Sequence, residues 1–131
     1  MKDEKLTQEQ RKAIGQKDAV LSRGSYAPIP HKLYREELAR LGESYSKADA
    51  RDMVFLYTYL HAYVNGTVGQ AAYMWAFPNV AQIAKETGIH KDRIKPLVDA
   101  MEAEGLLLTR KIPWYGNTKK MYMPLIPDRL L

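Results

Sequence analysis

Residues 77–125 read FPNVAQIAKETGIHKDRIKPLVDAMEAEGLLLTRKIPWYGNTKKMYMPL, and the punctuation of this stretch decides the fold. Pro78 pushes the residue before it out of the α region, so a helix cannot extend backwards through it. Asn79 can then cap a helix, with Gln82 three positions on as a capping box requires. Val80, Ile83 and Ala84 share one face at helical spacing, and Gly88 supplies the left-handed residue that ends the helix in a sharp turn.

A second helix is expected from about His90 to Glu104. Its packing stripe is Ile94, Leu97, Val98 and Met101, spaced i, i+3, i+4, i+7. Lys91, Arg93 and Lys95 cluster at its front, while Asp99, Glu102 and Glu104 lie at its rear. Pro96 interrupts the pattern, because an interior proline removes a hydrogen bond and clashes with a carbonyl four residues back. Either the helix kinks there or its regular part starts near Lys95 with the proline in its first turn.

Two strands follow, the first marked by Leu106, Leu107, Leu108 and Ile112, the second by Met121, Tyr122, Met123 and Leu125. Gly116-Asn117 is the expected tight turn between them. Arg110, Lys111, Lys119 and Lys120 flank this tip, and Trp114 and Tyr115 sit on it. Helix, sharp turn, helix and basic hairpin, in that order, predict a winged helix-turn-helix: a mainly α (α+β) domain with a small antiparallel sheet.

That geometry sets the candidate site. A recognition helix enters the major groove by its N-terminal residues, which nominates His90, Lys91, Arg93 and Lys95. Asn79 and Gln82 at the front of the preceding helix are placed to hold the register through phosphates. The hairpin from Arg110 to Lys120, with Lys111, Trp114, Tyr115, Asn117 and Lys119, is expected along the adjacent backbone or minor groove. The plainer alternatives are an amphipathic helix of mixed surface charge and a solvated hairpin whose lysines block its edges.

Upstream, Ala71–Phe77 alternates, with Tyr73, Trp75 and Phe77 on one side, and so predicts a short strand beside the hairpin. Ser46 and Asp49 open a long helix expected to end at Asn65-Gly66. Its apolar residues Met53, Val54, Phe55, Leu56, Tyr57, Tyr59, Leu60, Tyr63 and Val64 leave few polar sides, which predicts a buried spine; surplus tyrosines could instead face a partner subunit. His61 on that helix is expected to be a hydrogen-bonded core residue. A shorter helix is expected from His31 to Leu41, stopped by Gly42, after an extended Tyr26–Pro30. Residues 1–23 form a separate arm in which Thr7 and Gln10 can open a short helix, Gly15 interrupts it, and Arg23-Gly24-Ser25 closes it. The arm could be loosely packed, a dimer contact or a DNA-following segment, and residues 24–131 form the domain.

The chain has 131 residues and no cysteine, so it can bury a core without disulfides and carries neither thiolate ligands nor a thiol nucleophile. Its net charge of +5 is concentrated in residues 106–131, which carry +4, while residues 78–105 carry −1. No apolar run reaches membrane-spanning length and the start is polar, so a cytoplasmic protein is expected. Phosphate-binding glycine loops, metal-binding helix motifs and nucleophile elbows are missing, and His31, His61 and His90 lack ligand spacing. Asp49 and Asp52 are accounted for by the helix dipole. Neither catalysis, a cofactor nor a metal is expected.

The order of parts resembles the winged-helix domains of phage replisome organisers, DnaD-like proteins and Gram-positive plasmid replication initiators. Tyr26–Leu33, Met53–Leu60, Val80–Gly88 and Leu97–Leu107 carry the resemblance, which spans about residues 24–125. It implies double-stranded DNA as partner, a homodimer, and contact with replication or transcription machinery. No second domain follows the wing, which shifts the expectation from a complete initiator towards a stand-alone transcriptional regulator of a mobile element or its host.

Overall fold

A computed structural model describes residues 5–24 and 26–131. Residues 1–4 of the arm, and Ser25 of its expected closing turn, lie outside the described residues. The first helix, α1 (Gln8–Arg23), has both halves of the capping box, Thr7 Oγ1 accepting from the Gln10 N–H and the Gln10 side chain accepting from the Thr7 N–H. It runs straight through Gly15, which was expected to interrupt it. One interior glycine costs about 1 kcal/mol, and caps at both ends, including left-handed Gly24, offset it. None of the α1 residues is buried.

A π turn over Leu33–Glu37 leads into α2 (Leu38–Ser44). Gly42 lies inside α2 instead of stopping it, because Leu41 is core and the Tyr45 N–H closes the last turn on the Leu41 carbonyl. Ser46 then caps α3 (Lys47–His61), accepting from the Asp49 N–H. This helix ends at His61, short of Asn65-Gly66, and it is a spine with two sides. Met53, Val54, Leu56, Tyr57 and Leu60 are buried, whereas Phe55 and Tyr63 are exposed. The Tyr57 hydroxyl donates to the Leu125 carbonyl at 2.6 Å, fastening the helix to the end of the chain.

The expected strand at Ala71–Phe77 is replaced by turns with two isolated bridges, Asn65 to Tyr73 and Ala76 to Tyr122. Met74 takes a positive φ of 69°, which breaks the two-residue alternation. Trp75, Ala76 and Pro78 are consequently all buried while Tyr73 is exposed.

α4 (Val80–Thr87) and α5 (Lys91–Ala103) follow, joined through Gly88 at φ 76° and buried Ile89. Val80, assigned from spacing to the packing face of α4, is exposed; Ile83 fills that role. The stripe Ile94, Leu97, Val98 and Met101 is buried as expected. Pro96 neither shifts the start of α5 nor ends it. Its ring is on the solvent side, so the missing N–H leaves the carbonyl of exposed Asp92 facing water.

The sheet among the described residues is one antiparallel hairpin, β1 (Leu107–Trp114) and β2 (Asn117–Pro124). Its turn is Tyr115-Gly116, one residue earlier than expected, and Asn117 pairs with Trp114. Tertiary anchors explain the choice. Leu106 and Leu107 are buried next to α5 and Tyr122 bridges to Ala76, so both strands are anchored by contacts outside the tip. One apolar cluster joins Leu33, Leu41, Met53, Leu60, Ile83, Leu97, Met101, Leu106 and Tyr122, so α2 to α5 and the hairpin share a core. No described helix is long and apolar enough to cross a membrane.

Candidate nucleic-acid interface

At the front of α5 the three cations have different fates. Arg93 turns back onto α3, with Nη2 2.8 Å from Asp49 Oδ1 and Nη1 2.6 Å from Asp52 Oδ2. Those two carboxylates therefore hold Arg93 as well as favouring the helix dipole. Lys95 reaches Asp99 at 2.8 Å, and Lys91 is exposed. His90 is the cap, its Nδ1 accepting from the Asp92 N–H at 3.1 Å. The solvent face of α5 thus mixes Lys91 and Lys95 with Asp92, Asp99 and Glu102.

The hairpin divides its four cations by strand alternation. Lys111 and Lys120 are directly opposed, on the face shared with Thr109 and Tyr122. That face is turned towards α5: the Thr109 hydroxyl donates to Glu102 at 2.6 Å. Asp99 is held below the usual carboxylate range by its Lys95 hydrogen bond, with a smaller contribution from the charge of Lys120. Arg110 and Lys119 occupy the other face and lie over rings. Arg110 is 5.1 Å from the Trp75 centroid, and Lys119 is 5.3 Å from Phe77 and 4.8 Å from Trp114. Among the described residues, none of these four cations has a carboxylate within 4.0 Å, in contrast to Arg40, Arg93, Lys95 and Arg129.

The tip is aromatic and strained. Tyr115 has φ 45° and Gly116 φ 79°, the double positive φ of a tight hairpin turn. A left-handed conformation costs a side-chain-bearing residue about 1–2 kcal/mol. Tyr115 is nevertheless 91% exposed, touching Trp114 edge-on with ring centroids 5.1 Å apart.

Comparison with models of known families, with curated proteins and with solved structures finds no match to this chain.

On α4, the two nominated residues serve the helix itself. Asn79 Oδ1 accepts from the Gln82 N–H at 2.7 Å, and the Gln82 amide donates to Glu86 at 3.2 Å rather than returning to the cap. Glu86 is also the acceptor for Tyr59 at 2.6 Å and Tyr63 at 2.7 Å. Those phenols hold its carboxyl below the usual range. Burial, followed by the Glu86 hydrogen bond, pushes the Tyr59 phenol up. Sequence reasoning missed this cluster. The one available signal was the i, i+4 spacing of Tyr59 and Tyr63 in the helix expected to run to Asn65.

His61 corrects another expectation. Its ring is buried edge-on against Tyr57 at 4.6 Å, and its Nε2 has no hydrogen-bond partner among the described residues. Burial pushes its pKa down. Of the nominated residues, Lys95, Lys111 and Lys120 form an α5-side strip, Arg110, Lys119 and Trp114 a ring-stacked strip, and Tyr115 lies between them at the tip, whereas Asn79, Gln82, His90 and Arg93 are taken up in contacts within the fold.

Proposed function

We propose that this chain is a winged-helix protein that binds double-stranded DNA through its hairpin. The observation that supports the reading is the pair Lys111 and Lys120, which face each other directly on one side of the hairpin and have no carboxylate within 4.0 Å among the described residues. Like charges opposed across a hairpin destabilise it, and a phosphate backbone laid along that face would relieve the repulsion and release counterions. Lys91 and Lys95 extend the same side onto α5. Base reading by Arg93 has weaker support than its sequence position suggested, because Asp49 and Asp52 already occupy it. The biological setting that fits best is transcriptional control on a mobile element or its host. Replication initiation uses the same contacts and is the alternative setting. A homodimer is part of the proposal, and α1, whose Ile14, Val20 and Leu21 are exposed, is the segment available for it.

A second reading, a protein-interaction module of the same shape, is favoured by the carboxylates Asp92, Asp99 and Glu102 on the exposed face of α5. Fluorescence anisotropy on DNA flanking the gene, against a scrambled duplex at low and high salt, separates the two. Preference that survives high salt is the expected result. Absence of binding at either salt would put the protein-interaction reading first.

A further inference from the structure

The hairpin tip carries strain that its turn does not require. A two-residue turn with positive φ at both positions suits Asn-Gly or Gly-Gly, yet Tyr115 holds the first position at φ 45°. The side chain gains no burial in exchange, being at 91% the most exposed large apolar residue among the described residues. It does gain an aromatic neighbour. Trp114 stands edge-on behind it, and the Lys119 ammonium lies over the Trp114 ring at 4.8 Å. Strain that only the edge-on contact with Trp114 offsets, at a side chain left in solvent, points to a task outside the fold.

The surroundings identify that task. A planar, fully presented ring beside the opposed pair Lys111 and Lys120 matches a nucleobase beside its phosphates. In an intact duplex the base faces are covered by their neighbours, so such a ring finds a partner only where the stack is open or easily opened. We propose that Tyr115 is a stacking wedge and that the preferred substrate is duplex DNA containing locally unpaired bases, a bubble or a single-strand junction. This rests on the DNA-binding reading of the hairpin.

The test uses the full chain and three labelled probes: a perfect duplex, the same duplex with a small central bubble, and vesicles of anionic phospholipid. A 2-aminopurine placed in the bubble reports stacking directly. The intact protein is expected to bind the bubble roughly tenfold more tightly than the duplex, the scale of one base stacked on an aromatic ring. Tyr115→Phe keeps that preference. Tyr115→Asn relaxes the turn, so its Tm should rise while its preference for the bubble falls towards one and duplex binding persists. A more stable protein with a poorer choice of substrate is an outcome that no purely structural role for Tyr115 produces. Equal binding of bubble and duplex by the intact protein, or an undiminished preference in Tyr115→Asn, overturns the wedge and leaves the hairpin's DNA binding standing. Binding to no DNA sinks both, and binding to vesicles alone assigns the tip to a membrane surface.

Discussion

Arg93 shows how far a residue's neighbours in space can differ from its neighbours in sequence. On the helix front it stands between Lys91 and Lys95, but its guanidinium is held by Asp49 and Asp52 on α3. The side chain is 42% exposed, so solvent screens both contacts and they hold α5 against α3 only modestly. Arg93→Ala should therefore lower stability by less than about 1 kcal/mol and leave sequence preference on DNA unchanged. Urea midpoints and anisotropy on matched and mismatched duplexes check the two halves. A loss of preference at one or two base pairs would show that Arg93 leaves its carboxylates to read bases. His61 carries the same lesson in the apolar direction: helical spacing put it in the core, but spacing says nothing about whether Nε2 meets an acceptor or donor.

At the scale of the hairpin, adjacency in sequence misleads in a regular way. Lys119 and Lys120 are neighbours along β2 and point to opposite faces, as do Arg110 and Lys111 along β1. The proposed contact with DNA would divide them accordingly. Lys111→Ala and Lys120→Ala, on the face towards α5, should each flatten the dependence of log K on log salt by about 0.9, one phosphate contact apiece. Arg110→Ala and Lys119→Ala should leave that slope nearly unchanged and instead loosen the hairpin, since their side chains lie over Trp75, Phe77 and Trp114. Four equal slopes would mean the DNA does not lie against one face. The same alternation was legible in the sequence. The register was not, because the position of the turn was decided by Leu106 and Leu107 at one strand and the Tyr122 bridge to Ala76 at the other.

Across the whole molecule, a buried carboxylate joins segments distant along the chain. Glu37, 2% exposed, accepts from Arg40 Nη2 at 3.1 Å and from Arg129 Nη2 at 2.7 Å. Arg40 also reaches Glu104 at the end of α5, and Arg129 donates to the Glu104 carbonyl at 2.5 Å. Burial works against the charge on Glu37, but the hydrogen bonds from Arg40 and Arg129 prevail and hold its carboxyl below the ordinary value of 4.5. His61 is displaced downwards from 6.5 by burial. Both groups lose their contribution as pH falls, because the unfolded chain takes up the proton first. Stability should thus decline in two stages, beginning below 6.5 for His61 and below 4.5 for Glu37. Glu37→Gln should cost about 3 kcal/mol near neutral pH and shrink the lower stage, to which Glu86 and Asp99 also contribute, while leaving the upper. Urea denaturation at a series of pH values gives the answer, and a flat profile above pH 4.5 would show His61 titrating as in water.

What the sequence by itself determined was local. The Thr7, Ser46 and Asn79 caps, the left-handed turn at Gly88, the buried stripe of α5 and the existence of two hairpin strands are set by interactions within a few residues. What only the tertiary structure decided was whatever depends on a partner far along the chain. Its contacts hold Arg93 on α3, join Tyr59 and Tyr63 to Glu86, bury Glu37 between two arginines, and replace the expected strand at Ala71–Phe77 with turns. Pro96 marks the boundary between the two. Local rules weigh its missing hydrogen bond, but the buried stripe on the opposite side of α5 holds the helix continuous and leaves the ring outside.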